Sequence, residues 1–382
     1  MKRVSIKPRD GWLQTVESQG LFYHTIKGEL YWDEHACYAL SEKDATILEE
    51  STNELHQLCL AAVDHVVKQD LYHLFHIPQW FIPKVEESWR RKEPDVYGRF
   101  DLVYFDSKFP PKMLEYNADT PTSLLESSVT QYYWLKDCFP DKDQFNTLHQ
   151  ALVKRWQELA QTVLTNDEVV YFMCAPNEPE EIGNTDYLRS TAEQAGIRSV
   201  LTTLDQTRWA PQLEELRVAD TNETITAFFK LYPWEWLLDT TQEKSVVPTN
   251  ATIFEPAWKM LLSNKAILPL LWELFPNHPN LLPAYPVPDP FLGSYVQKPL
   301  LSREGANIDI VSGCEETLES STGPYGDEGY IYQAFYPLPK FEDNYTVIGS
   351  WVVDGRASGI GLREDATLIT KNSSRFVPHF IE

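Results

Sequence analysis

The segment Gly98-Arg99-Phe100-Asp101-Leu102-Val103-Tyr104-Phe105 constrains this chain most, because it sets a cation and a carboxylate two residues apart on an apolar, aromatic strand. A turn-rich stretch, Asp106-Ser107-Lys108-Phe109-Pro110-Pro111, separates it from Lys112-Met113-Leu114-Glu115-Tyr116-Asn117, and the pattern predicts a β-hairpin. Side chains alternate faces along a strand, so Arg99 and Asp101 share one face, as do Glu115 and Asn117 on the return strand. A turn centred near Lys108 sets Asp101 opposite Glu115 and Arg99 opposite Asn117. Facing carboxylates repel unless a cation or a shared proton lies between them. Oxygen donors from Asp101, Glu115 and Asn117, without His or Cys, suit Mg2+, which also takes oxygens from nucleotide phosphates. Arg99 beside them offers a fixed fork for a phosphoryl oxygen. A solvated hairpin face with ordinary ion pairs is the alternative.

With 382 residues, 43% of them hydrophobic and 13% aromatic, the chain can build a core spread over two or three lobes. Its formal net charge of −23 argues against a nucleic-acid partner, since phosphate backbones need a concentrated positive surface. The basic N-terminus has no apolar segment behind it, and no stretch approaches the roughly eighteen apolar residues of a membrane span, so a cytoplasmic location and small-molecule partners are expected. Cys37, Cys59, Cys138, Cys174 and Cys314 are scattered, which favours neither a disulfide framework nor a structural zinc site.

Apolar spacing predicts one long helix or two joined pieces over residues 42–69, and helices near 125–135 and 148–164. Residues 169–173 read as a buried strand, 186–195 as a helix ending at Gly196, and 197–204 as a further strand, together one α/β unit. A strand over 227–232 precedes Pro233-Trp234-Glu235-Trp236, whose tryptophans read as core or as a ligand platform. After the proline-rich run at 283–290, a lobe boundary or a surface loop, the chain becomes strand-dominated. There Asp354-Gly355 is a type I′ turn signal between two strand patterns.

No phosphate loop of the G-x-x-x-x-G-K-[ST] kind and no G-x-G-x-x-G is present. Lys298 instead ends a strand, and the following Ser302, Arg303 and Gly305 form a loop that can fold over phosphates or stand as an ordinary hairpin loop. Lys265 sits among apolar residues, where it either meets an anion or snorkels, and Arg363 has the same two readings. Thr122 or Ser123 can cap a helix beginning near Leu124.

The motifs Arg99-Phe100-Asp101, Glu115-Tyr116-Asn117-Ala118-Asp119, Phe254-Glu255-Pro256, Asn264-Lys265-Ala266-Ile267-Leu268-Pro269, Lys298-Pro299 and Leu362-Arg363 run in order along nearly the whole chain. Together they resemble the synthetase region of glutathionylspermidine synthase and its shorter relatives among the acid–amine ligases. The resemblance implies a mixed α+β and α/β chain with an ATP-grasp-type fold and a pre-ATP-grasp α/β lobe. It is expected as one unit across 1–382, with a substrate lobe near 166–250, a strand-rich ATP-grasp lobe over 285–382 and no amidase domain. Asp101, Glu115 and Asn117 are then implied to hold two Mg2+ ions. Arg99 and Arg363 are the implied catalytic arginines, and Arg99, Phe100, Asp101, Lys265, Lys298, Gly305, Ala306, Gln333, Ala334, Phe335, Tyr336 and Leu368 the implied ATP contacts. Thr120, Glu180 and Glu181 are the implied contacts to the acid.

The implied reaction is ATP- and Mg-dependent amide formation through an acyl phosphate, releasing ADP. A glutathione-like peptide is a candidate acid and a polyamine a candidate amine. Leu231-Tyr232 departs from the polar pattern of the family's glutathione pocket, which leaves the acid open. Two rival readings remain at this level. One is a hydrolase using Asp101 and Glu115 as acid and base, and the other a non-catalytic nucleotide-binding protein.

Overall fold

The computed structural model describes residues 1–165, 167–210, 213–238 and 251–382, so residues 239–250 of the expected substrate lobe lie outside the described residues. The chain begins with β1 (Lys2–Ser5), which pairs antiparallel with β2 (Ala36–Leu40). Helix α1 (Glu42–Gln69) follows as one continuous element. It starts sharply because Ser41 and Asp44 form a reciprocal cap, with Ser41 Oγ accepting from the Asp44 N–H and the Asp44 carboxylate accepting from the Ser41 N–H.

Next come β3 (Tyr97–Val103) and β4 (Lys112–Asn117), the expected hairpin. Arg99 pairs with Asn117 and Asp101 with Glu115, the register that a turn near Lys108 dictates, with a bulge after Asp101. Leu48, Leu55, Cys59, Ala62, Val63 and Val66 of α1 share one core with Phe100, Leu102, Met113 and Tyr116 of the hairpin. The opposite sheet face is thereby left to Arg99, Asp101 and their neighbours.

The segment after the hairpin departs from expectation in its cap. A π-helical turn, Glu126–Thr130, leads into α2 (Gln131–Cys138), but neither Thr122 nor Ser123 caps the start. Asn184 does so from a distant helix, its Oδ1 accepting from the Leu124 N–H at 2.6 Å and the Leu125 N–H at 3.3 Å. Ser123 instead adopts φ +70°.

After α3 (Leu148–Thr162), the four strands β5 (Val169–Cys174), β6 (Arg198–Thr203), β7 (Ala227–Leu231) and β8 (Thr252–Phe254) form a parallel sheet in the order β8-β7-β5-β6. Parallel strands buried on both faces need near-continuous apolar runs, and Val169–Cys174 supplies one. Helix α4 (Pro179–Gln194) connects β5 to β6 and begins well before residue 186, because Pro179 occupies its first turn without needing an N–H partner.

Helix α5 (Ile267–Leu274) precedes a five-stranded antiparallel sheet of β9 (Ala284–Tyr285), β10 (Tyr295–Pro299), β11 (Asp309–Val311), β12 (Thr317–Ser320) and β13 (Tyr330–Ala334), ordered β9-β13-β10-β11-β12. Part of the proline-rich run is thus a strand, with Ala284 paired to Gln333. The long hairpin β14 (Asn344–Val353) and β15 (Arg356–Asp365) joins β3, and Asp354 and Gly355 both take positive φ, as a type I′ turn requires. Strands β16 (Arg375–Val377) and β17 (His379–Ile381) end the chain, β17 running parallel to β2. Among the described residues no helix is long and apolar enough to cross a membrane.

Candidate active site

The site grows from the β3–β4 hairpin. Arg99 is 8% exposed, and its Nε donates to Asp101 Oδ1 at 2.9 Å while its Nη1 donates to the Thr122 carbonyl at 2.6 Å. Trp351 lies beneath the guanidinium, 5.7 Å from ring centre to Arg99 Cζ. Gly349, paired with Asp101 across the sheet, leaves the space this arginine fills, since a Cβ there would stand 2.8 Å from Arg99 Cδ.

Two lysines act on Glu115, Lys265 from the segment before α5 by direct contact and Lys298 of β10 through its charge. Lys265 Nζ lies 2.9 Å from Glu115 Oε2 and donates to the Ser302 carbonyl at 2.8 Å, so it is paired with an anion and does not snorkel. Lys298 donates to Gln333 Oε1 at 2.7 Å and to the Leu114 carbonyl at 3.1 Å. Burial pushes the Glu115 carboxyl up, but Lys265 and Lys298 outweigh it and hold the group down at about 2. Asp101 moves the other way: burial raises it, Arg99 opposes, and the Glu115 charge adds to the rise. Burial lowers Lys298 to about 8 despite Glu115.

The facing pair Asp101 and Glu115 can hold a hard cation. Asn117 donates through Nδ2 to Glu115 Oε1 at 3.0 Å, so its amide oxygen remains a third neutral donor. Among the described residues no three His, Cys, Asp or Glu side chains gather as a metal cage. Two carboxylates and an amide oxygen nevertheless fit Mg2+, which keeps waters and phosphate oxygens in its coordination shell.

Asp101, Glu115, Lys265, Lys298, Gly305, Gln333, Ala334, Phe335, Tyr336 and Leu368 all line one cavity of about 110 Å³. Its walls also include Leu114, Val296, Ile310, Leu338 and Val347, giving an apolar slot with charges at one end. It adjoins an open cleft of about 710 Å³ lined by Arg99, Asn117, Thr120, Glu181, Ala306 and Arg363, with Asp101, Glu115 and Gly305 common to both. Gly305 is needed there: it has φ +70°, and a Cβ would meet the Thr370 carbonyl oxygen at 2.5 Å.

Two expected contacts are not brought in. Phe100 points to the opposite face, fully buried and stacked on Tyr116 with ring centres 3.8 Å apart, as strand alternation demands. Glu180 lines neither space, and its carbonyl accepts from Asn184. Arg363 lines the cleft and donates to the carbonyls of Lys371, Asn372 and Ser374.

The loop after Lys298 brings a further cation to the cleft. Arg303 donates to Thr120 Oγ1 and to Glu235 Oε1, each at 2.6 Å, with Trp236 5.7 Å away. Trp234, by contrast, is core, donating to the Glu255 carbonyl. Lys230 forms a fully buried pair with Asp119 at 2.5 Å, and the signal that could have found it is the same as for Lys265, a lysine within an apolar strand.

A family model for glutathionylspermidine synthase preATP-grasp matches residues 3–382. The chain belongs to that family. Within it, a Haemophilus influenzae protein provisionally named an acid–amine ligase is 39% identical, over 100% of this chain and 99% of its own length. The bifunctional glutathionylspermidine synthetase/amidase of Escherichia coli is 30% identical over 91% of this chain and 59% of its own length, so the chain spans under two thirds of that relative. A trypanothione synthetase of Crithidia fasciculata is 29% identical over 85% of this chain and 53% of its own. A glutathione synthetase-like effector from Globodera pallida shares the fold at a TM-score of 0.55 and 11% identity, covering 99% of this chain and 98% of that one. The fold is thus of the ATP-grasp type, and the chain is an enzyme of the acid–amine ligase class.

Proposed function

We propose that this ligase couples ATP cleavage to amide formation, activating a carboxylic acid as an acyl phosphate that an amine then attacks. The observation that carries the reading is the pairing of Asp101 with Glu115 at the charged mouth of an apolar cavity, with Lys265, Lys298 and Arg99 around it. An amine does not displace a carboxylate oxygen at useful rates, so the acid needs a better leaving group.

The apolar slot suits a flat base, with Gln333 to Tyr336 beside it. Lys265 and Lys298 supply charge for phosphates, and Arg99, with Arg363 lining the same recess, suits the oxygens of a transferring phosphoryl group. Asp101, Glu115 and Asn117 would hold magnesium, one ion or two, which when bound neutralises phosphoryl charge. The loop around Gly305 and Ala306 covers the junction of slot and cleft and can keep water from an activated acyl group. The open cleft, with Thr120 and Glu181 on its wall, is the proposed place for acid and amine. A glutathione-like acid and a polyamine are candidates, and the strand-rich part over 285–382 is the proposed ATP-grasp lobe.

Calorimetric titration with Mg-ATP tests this reading. Binding is expected to the wild-type protein and to fall at least tenfold in Asp101→Ala; no binding to the wild type would contradict it. Turnover of any substrate without nucleotide would favour the hydrolase.

A further inference from the structure

Behind Arg99 runs a hydrogen-bonded path separate from the proposed ATP and metal contacts. Glu126 opens the π-helical segment, a distortion of helices that recurs at functional sites. Its side chain is fully buried; Oε1 accepts from the Tyr31 hydroxyl at 2.7 Å, and Oε2 has no hydrogen-bond partner. Tyr31 Oη lies 3.2 Å from Ser123 Oγ, and either hydroxyl can donate. Ser123 lines a narrow recess together with Arg99, Asp101 and Arg363, all three of which also line the substrate cleft. Two hydroxyls in series therefore join the reacting face to a buried carboxylate.

An alkylamine reaches the enzyme at neutral pH mainly as an ammonium ion, which has no lone pair with which to attack. We propose that Glu126, acting through Tyr31 and Ser123, accepts the proton this ammonium must lose, an inference that rests on the ligase reading and deepens it. The ammonium proton passes to Ser123 Oγ as the Ser123 proton passes to Tyr31 and the Tyr31 proton to Glu126. Both hydroxyls end unchanged and the carboxyl holds one proton. The freed lone pair forms the C–N bond, the C–O bond to phosphate breaks, and phosphate departs with that electron pair. The second nitrogen proton, released as the amide forms, leaves on the phosphate, and Glu126 later returns its proton to solvent along the same path. Ser123, in the recess beside Arg99 that adjoins the cleft, is the hydroxyl that takes the proton; Glu126 and Tyr31 are positioning residues.

The groups facing Glu126 are Tyr31 and Tyr23 from the N-terminal segment, Glu180 from α4 and Arg363 from β15. Burial and the Glu180 charge push the Glu126 carboxyl up, against the Tyr31 hydrogen bond and Arg363, to about 7. A group so poised can take a proton and give it back near neutral pH.

Glutathione with Mg-ATP and either spermidine or hydroxylamine tests the relay, with ADP and product followed across about pH 6 to 9. Hydroxylamine is a nucleophile already unprotonated at neutral pH and needs no base. Glu126→Gln is expected to lower the spermidine rate roughly a hundredfold, to remove its acidic limb near pH 7, and to lower the hydroxylamine rate less than tenfold. Tyr31→Phe and Ser123→Ala should show the same split. Hydroxylamine turnover also shows that each variant is folded. Equal losses with both nucleophiles, or an unchanged pH profile, overturn the relay alone. A wild-type protein that releases no ADP with any acid, glutathione first among them, and either nucleophile overturns the ligase reading, and the relay with it.

Discussion

Arg99 is positioned by what its neighbours omit as much as by what they offer. Asp101 and the Thr122 carbonyl fix its donors, and the missing side chain at Gly349 gives it room. Gly349→Ala should therefore displace the guanidinium while leaving the strand intact. The expected loss is roughly a hundredfold in turnover, the cost of misplacing a reacting contact by about an ångström, with a melting temperature within a few degrees of wild type. Unchanged turnover in a steady-state assay would show that the position of Arg99 does not matter. At this scale the sequence was informative where chemistry follows local geometry. Strand alternation and a turn near Lys108 were enough to pair Asp101 with Glu115. Phe100 could also have been placed by alternation, since it lies between two site residues and must face the other way. Tyr31 and Glu126 were not legible, because 95 residues separate them and only the folded chain joins their side chains.

Among the elements, boundaries proved less legible than identities. The 42–69 helix, the parallel strands and the Asp354-Gly355 hairpin all follow from period and turn chemistry. Helix α4 starts earlier than apolar periodicity indicates, because Pro179, Glu180 and Glu181 carry none, although proline and acidic residues suit a first turn. The cap at Leu124 differs from the sequence expectation because a local hydroxyl is the usual acceptor in such a cap, whereas here α4 supplies the Asn184 amide oxygen across space. That exchange has a measurable consequence. Asn184→Ala leaves the Leu124 and Leu125 N–H groups without their acceptor and should cost about 1–2 kcal/mol. Urea unfolding checks this, and a variant as stable as wild type would show that the cap contributes nothing.

Over the whole molecule, the site depends on keeping the parallel sheet registered against the hairpin that carries the carboxylates. Lys230 in β7 and Asp119, just beyond β4, form the link, and Asp119 also accepts from the Trp234 N–H at 3.0 Å. Thr120 and Glu235, adjacent to those two anchored residues, receive Arg303 from the covering loop. Lys230→Met leaves a buried carboxylate without its cation and should destabilise the protein by about 3–5 kcal/mol, and adding Asp119→Asn should recover part of that loss. Calorimetric melting of the single and double variants distinguishes this from simple loss of packing, which the second substitution would not repair. The Lys230–Asp119 pair was invisible to a reading that weighed each lysine alone, because its meaning lies in which two sheets it joins. ATP cleavage coupled to amide formation is the chemistry that all these residues serve, so the decisive measurement is a matrix of acids and amines with Mg-ATP, scored for ADP, phosphate and amide together. The three products should appear in equal amounts, only when acid and amine are both present, and should vanish in Asp101→Ala. Amide formed without ADP, or ADP release unchanged in Asp101→Ala, would contradict it.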